Sequence, residues 1–370
     1  MTLEEAPHAI GINVDAGWLA AVMSASGLPV DDNVASIRTR LLDTGLGAFS
    51  RLVRLDVTYR LPAPHLPRSL VLKLPSDVTV NDNRALAFDL YRREALFYRD
   101  VAKALKLRVP RCYWSSLDTE PHRPALLIED LDSWSRADQL AGISVARARQ
   151  AVRSIAEMHA QWWEAPRLAH VTWIPCLGGW TKGELVRIYR AHWPGFVDRY
   201  ASELPPGSLE AGARLCDELE PLLHETAACP RTLVHGDFRA DNLFFGDGSE
   251  CEVAVIDWQL CCSGRGAFDV AYLLCQSMPV SVRRRHGASI LWTWHEALVQ
   301  HGVRRYSFDD AIRDYERGAR LCVAYAVVGT ALEGADDRAL TLALAQVRRS
   351  FSAALELSEG VLLRGGRRDG

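Results

Sequence analysis

The sequence predicts an α+β chain in two parts, a strand-rich N-terminal lobe over residues 1–131 and a mostly helical C-terminal lobe over 132–370. Three observations carry that expectation. A length of 370 residues exceeds what one hydrophobic core usually fills. β-Forming residues alternate through the first third, and from Ser144 onward apolar residues recur at the helical period.

In order along the chain, Ser36 to Leu42 reads as a strand, followed by the turn Asp43 to Gly47 and a second strand, Phe49 to Tyr59. Leu52, Val53, Leu55, Val57 and Tyr59 give the second its near alternation. The Pro-rich turn Leu61 to Pro67 leads into a third strand, Ser69 to Leu74, so the three form an antiparallel meander. Leu86, Leu90, Leu96, Phe97, Val101 and Leu105 then predict one long helix from Arg84 to Leu105. Strands at Arg111 to Ser115 and Ala125 to Glu129 complete an expected lobe of five strands and one helix.

In the second part, Val145, Ala148, Val152, Ile155, His159 and Trp162 share one helix face, with His159 read as a core histidine. Helices are expected at Val282 to Val299, Phe308 to Leu332 and Arg338 to Leu357, the second opened by Ser307 and Asp310 at capping-box spacing. Leu243 to Phe245 and Val253 to Ile256 read as a β-hairpin among them.

Composition narrows the function. A net charge of -3 with scattered Lys and Arg gives no footprint for nucleic acid, and no stretch approaches 18 uninterrupted apolar residues. The expectation is a cytoplasmic protein with neither nucleic acid nor membrane as partner. Nine cysteines without zinc-site spacing read as reduced structural thiols.

The chemistry gathers in Leu233-Val-His-Gly-Asp-Phe-Arg-Ala-Asp-Asn242, where Asn242 lies five residues beyond Asp237. Phosphoryl transfer asks for a carboxylate to orient and deprotonate the accepting hydroxyl, and for an amide and a second carboxylate to hold Mg2+ against the phosphates. Asp237 and Asn242 suit the first two tasks. Asp257 follows the apolar run Val253 to Ile256 and so stands at a strand end, a rigid place for a metal ligand.

HGDFRADN and IDW resemble the catalytic loop and metal-binding segment of the aminoglycoside phosphotransferase, choline kinase and ecdysteroid-kinase-like superfamily, whose fold is protein-kinase-like. The resemblance covers nearly the whole chain and implies Asp237 as catalytic base, Asn242 and Asp257 as Mg2+ ligands, and ATP or GTP as donor. Lys73, an ammonium in the apolar run Leu70 to Leu74, needs an anion. By resemblance it is the lysine that contacts the α- and β-phosphates, with Glu94 as its ion-pair partner. The turn Thr44 to Ser50 stands where a loop covers the nucleotide, Gly45 and Gly47 allowing close backbone approach and Ser50 closing the turn. The segment Glu129, Asp130 and Leu131 resembles the hinge that meets the purine. Asp269 resembles the helix acid that braces the catalytic loop. Arg239 is a candidate to neutralise the transferring phosphoryl group, and His235 to shape the loop by hydrogen bonds.

The expected acceptor is a hydroxyl of a small molecule, chosen by about residues 165–230 together with C-terminal helices. That segment holds eight acids and six Lys or Arg, with Trp173, Trp180 and Trp193. It lacks the dense acidity that grips a polycation, and an aromatic, moderately apolar pocket fits it better. Rival readings are a pseudokinase or nucleotide-binding module, a metal-dependent phosphoesterase and a protein kinase. Lys73, Asp237, Asn242 and Asp257 all being present argues against the first. The second wants further His and Asp motifs, and the third an HRD loop, a DFG and an APE segment.

Overall fold

A computed structural model describes residues 14–30, 32–42, 49–77, 79–177, 183–246, 252–331 and 337–358. The chain divides into two compact units, one of residues 1–103 and 109–132, the other of residues 104–108 and 133–370.

The first unit is built on a five-stranded antiparallel sheet. Strands β1 (Val34–Leu42), β2 (Ser50–Tyr59) and β3 (Ser69–Pro75) form the meander, and β5 (Leu126–Glu129) pairs with β3 and with the edge strand β4 (Cys112–Ser115), giving the order β1-β2-β3-β5-β4. Helix α1 (Ala16–Ala25), capped by Asp15 accepting from the Trp18 amide at 2.8 Å, packs Leu19 and Met23 on Val53, Leu55, Leu70 and Leu72. That helix carries no strong periodic signal and was not expected.

The long helix expected over Arg84 to Leu105 is two helices, α2 (Thr79–Ala87) and α3 (Leu90–Asp100). Asp89 breaks it by taking the left-handed conformation at φ 55°, one that a short polar side chain tolerates. Among its described residues the first unit therefore holds three α-helices beside five strands. On α3 the hydroxyl of Tyr91 accepts from the Ser76 amide at 3.0 Å and bonds Asp82, which seats the helix against the end of β3.

The second unit is helical, with short β-pairs. Its helices are α4 (Val145–Trp162), α5 (Pro166–His170), α6 (Glu184–Tyr200), α7 (Ser208–Thr226), α8 (Ala267–Ser277), α9 (Val280–Gln300), α10 (Phe308–Gly329) and α11 (Asp337–Ser358). Strands β8 (Leu243–Phe245) and β9 (Val253–Val255) form the hairpin, extended by β6 (Ser135–Arg136), and β7 (Thr232–Val234) pairs with β10 (Cys262–Gly264). Every residue of α8 is buried, with α10 and α11 packed on it. The Ser307 and Asp310 capping box opens α10. Trp193 of α6 lies so close to α7 that a Cβ on Gly212 would stand 2.0 Å from its ring, so only glycine allows this approach.

Candidate active site

Lys73 is in the middle of the first unit's sheet, opposite Leu52 on β2 and Leu126 on β5. An edge position is thus excluded, and the ammonium needs a built partner. Its Nζ lies 2.9 and 2.7 Å from the two carboxylate oxygens of Glu94 on α3, with both side chains largely buried. Ser50 opens β2 opposite Pro75 and is buried. Gly45 and Gly47 lie outside the described residues.

In the segment after β5, Asp130 turns its carboxylate to Arg54 at 2.9 Å, and Arg54 also holds Asp56 and Asp132. Burial opposes the Arg54 charge, yet the hydrogen bond to Asp132 and the nearby carboxylates leave its pKa raised. Glu129 exchanges bonds with Arg111, its amide donating to the Arg111 carbonyl at 2.8 Å and its carboxylate accepting from the Arg111 amide at 3.0 Å. Leu131 is buried.

In the second unit, β7 delivers the chain into the loop from His235 to Asn242. Gly236 turns it at φ 86°, where a Cβ would stand 2.2 Å from the Leu260 carbonyl oxygen, so no other residue fits. Asp269, fully buried in the first turn of α8, accepts from the amides of His235 at 2.8 Å and Gly236 at 3.0 Å. Its third donor is His159 Nε2 at 3.1 Å, because His159 Nδ1 itself accepts from the Trp294 indole at 3.0 Å. That chain of bonds fixes the His159 tautomer.

His235 ties the loop to the neighbouring hairpin. Its Nε2 donates to the Ile256 carbonyl at 2.9 Å while its Nδ1 accepts from the Asp237 amide at 3.2 Å. The Ile256 amide in turn donates to the Asn242 carbonyl at 3.1 Å. Both bonds end beside Asp257, which like Asp89 takes the left-handed conformation, at φ 66° and ψ 70°. Trp258 then turns inward, its ring 4.6 Å from that of His235.

Asp237 receives a converging set of donors. Arg239 Nε bonds its Oδ2 at 3.0 Å, and Asn242 Nδ2 bonds the same Oδ2 and the Asp237 carbonyl, each at 2.9 Å. Tyr272, one turn after Asp269 on α8, is buried close enough to Asp237 to feel its charge. Burial, and after it the Asp237 carboxylate, push the Tyr272 phenol well above its ordinary pKa, so it remains a donor. Burial works against the Arg239 charge, but Asp237, Tyr272 and Asp241 outweigh it and raise its pKa. Arg239 is therefore no surface residue.

These groups fit a nucleotide-borne Mg2+. With Nδ2 of Asn242 spent on Asp237, its Oδ1 is the atom that could meet a cation, and Asp257 at the adjoining strand end could add a carboxylate. Two oxygen donors beside phosphates and water suit a hard cation. Among the described residues, no group of three or more His, Cys, Asp or Glu is gathered as a metal centre. His159 and Tyr272 complete the loop's surroundings from distant parts of the sequence, while Asp241, inside the loop itself, had been given no role. His159 had appeared only as a core residue, and the pairing with Asp269 spans 110 positions.

No curated protein matches the chain. Among solved structures, a choline kinase from Cryptosporidium parvum Iowa II is similar at 10% identity and a TM-score of 0.55, over 89% of this chain and 93% of that one. A microcompartment-associated aminopropanol kinase is similar at 15% identity and 0.53, over 93% and 99%. The GDP complex of aminoglycoside 2'-phosphotransferase-IIIa is similar at 14% and 0.51, over 92% and 99%. Identities this low speak for the fold alone, α+β and protein-kinase-like. Among the described residues, no helix is long and apolar enough to cross a membrane. The model of the phosphotransferase enzyme family matches residues 55–319, a span that contains Lys73, Glu94, Asp237, Asn242, Asp257 and Asp269. The chain belongs to that phosphotransferase family.

Proposed function

We propose that the chain is a Mg2+-dependent kinase that moves the γ-phosphate of ATP or GTP to a hydroxyl of a small molecule that is not strongly polycationic. The observation that carries this reading is the Asp237 carboxylate, oriented by Arg239 and Asn242 in a loop bonded directly to the strand end bearing Asp257.

In this reading the acceptor's hydroxyl proton goes to Asp237 Oδ1, the oxygen not already taken by Arg239 and Asn242. Arg239, fixed beside it, offsets charge on the phosphoryl group in flight. Asn242 and Asp257 would hold Mg2+, which when bound neutralises charge on the nucleotide phosphates. Lys73, oriented by Glu94, contacts the α- and β-phosphates, and the backbone of Glu129, Asp130 and Leu131 meets the purine. The turn with Gly45, Gly47 and Ser50 covers the phosphates.

The way charges are spent in the second unit supports the acceptor class. Of the eight acids in residues 165–230, six pair with arginines, namely Glu184, Glu203, Glu210, Asp217, Glu218 and Glu225. Such exposed pairs add little stability but neutralise the field that would attract a polycation. Trp193, one candidate wall of an aromatic pocket, packs on Tyr189, Phe196 and Gly212, while Trp180 lies outside the described residues.

The test is a screen of hydroxylated metabolites and antibiotics with Mg·ATP and Mg·GTP, read by mass gain of one phosphoryl group. Gain on neutral or weakly charged alcohols is expected. Turnover confined to polycationic aminosugars would overturn the acceptor class. Nucleotide binding with neither transfer nor hydrolysis would overturn the kinase reading in favour of a binding module.

A further inference from the structure

Asp138-Gln-Leu-Ala-Gly142, a turn about 100 residues ahead of the catalytic loop, is tied into that loop by one side chain. Gln139 is fully buried, and the polar groups of both its backbone and its side chain are bonded. Its amide donates to Asp241 Oδ1 at 3.1 Å, and its carbonyl accepts from Arg349 Nη1 at 2.7 Å. Its side-chain Nε2 donates to the Gln276 carbonyl at 3.3 Å, so its Oε1 faces the other way, where Arg239 Nη1 donates to it at 3.0 Å. The orientation of this amide is therefore dictated by an immovable acceptor at the end of α8.

The turn itself is anchored from three sides. Asp138 Oδ1 accepts from the amides of Leu140 and Ala141, and the Ile143 amide donates to the Ser277 carbonyl at 2.8 Å. Arg349 of α11, buried, also reaches the carbonyls of Gln276 at 3.1 Å and Leu140 at 2.8 Å. Gly142 takes φ 96° against Pro279, whose ring would stand 2.6 Å from any Cβ.

The consequence falls on Arg239. A side-on guanidinium–carboxylate pair is made through Nε and Nη2, which leaves Nη1, on the opposite side, to be fixed by another acceptor. Here Nε takes Asp237 Oδ2 while Nη1 is drawn to a neutral amide, with Asp241 Oδ2 at 3.7 Å beyond it. We propose that Gln139 is a positioning residue, which fixes the Arg239 guanidinium through Nη1, away from Asp241, and so keeps its Nε directed at Asp237 Oδ2. A neutral acceptor performs this task because it does not compete with Asp237 for the arginine's charge. The inference rests on the kinase reading for its effect on turnover, but its geometric content stands separately.

The experiment is a double-mutant cycle in the full chain between Gln139→Met, which keeps volume and removes the acceptor, and Arg239→Ala. The readout is Mg-dependent hydrolysis of ATP and GTP. Gln139→Met should lower kcat roughly tenfold or more while nucleotide KM stays within about twofold. Adding it to Arg239→Ala should lower kcat by no more than about twofold further, since the residue acts through the arginine. Gln139→Glu, which keeps an acceptor of the same length, should draw Arg239 from Asp237 and enter the same cycle if the Met variant does not fold. Additive losses in the cycle, or an unchanged kcat, would overturn the proposal. A crystal structure of the variant decides the geometry without any turnover. Arg239 Nη1 closing onto Asp241 is expected in Gln139→Met, and a guanidinium that has not moved overturns the proposal. Absence of both hydrolysis and transfer by the unaltered protein counts against the kinase reading alone, and the variant structure then still decides the geometry.

Discussion

The two candidate halves of the machinery are held in place in opposite ways. In the first unit one ion pair, Lys73 with Glu94, joins a central strand to α3, and its orientation depends on how α3 is seated. In the second unit the loop from His235 to Asn242 is held by a mesh of neutral and charged groups drawn from α4, α8, α9 and β9. A buried pair has no substitute when one member is lost, because the other is left as an uncompensated charge. A mesh shares its load, so single losses there should shift geometry before they unfold the protein.

Breaking the mesh at its centre should show the largest effect. Asp237→Asn keeps an oxygen for Arg239 and removes the base, so kcat should fall by about 10³, within the range for loss of a general base, while folding is hardly changed. Steady-state phosphorylation or hydrolysis with a parallel thermal melt checks both halves of that statement.

Breaking the pair should instead show in stability. Lys73→Met takes the ammonium from the buried Glu94 carboxylate, at a cost of about 3–5 kcal/mol. The double variant Lys73→Met with Glu94→Leu should recover most of that stability and none of the activity. Urea unfolding of the three proteins measures it, and a single variant as stable as the unaltered chain would remove the contrast with the loop.

The smallest expected effect calibrates both. Ser307→Ala removes the side-chain cap of α10, far from the loop in sequence, and should cost about 1 kcal/mol with activity unchanged. The Ser307 hydroxyl and amide also hold the Asp310 carboxyl below its usual pKa. A depressed carboxyl contributes above its unfolded pKa and loses that contribution as pH falls through the folded one. The gap between Ser307→Ala and the unaltered protein should therefore narrow in acid, as melts at neutral and acidic pH would show.

What was legible in the sequence follows the same division. Lys73 announced a partner because an ammonium in an apolar strand demands one, and Asp237, Asn242 and Asp257 lie close enough along the chain for their spacing to speak. The meander was legible from alternation. The break at Asp89 was not, since Phe88-Asp89 has neither glycine nor proline to mark the left-handed turn. Helices α6 and α7 were hidden by Pro194 and Pro221 within them, residues that ordinarily end a helix. The supports of the loop, His159, Gln139, Tyr272 and Arg349, lie from 30 to about 110 residues away in sequence. Only folding brings them to it.

The most direct test of the central division of labour is titration of nucleotide, with and without Mg2+, into Asp237→Asn and Asp257→Ala. Asp237→Asn should bind Mg·nucleotide within about threefold of the unaltered protein, since its role is toward the acceptor. Asp257→Ala should lose the Mg2+-dependent part of the affinity. Unchanged Mg2+-dependent affinity in Asp257→Ala, or its loss in Asp237→Asn, would contradict the assignment of base and metal ligand.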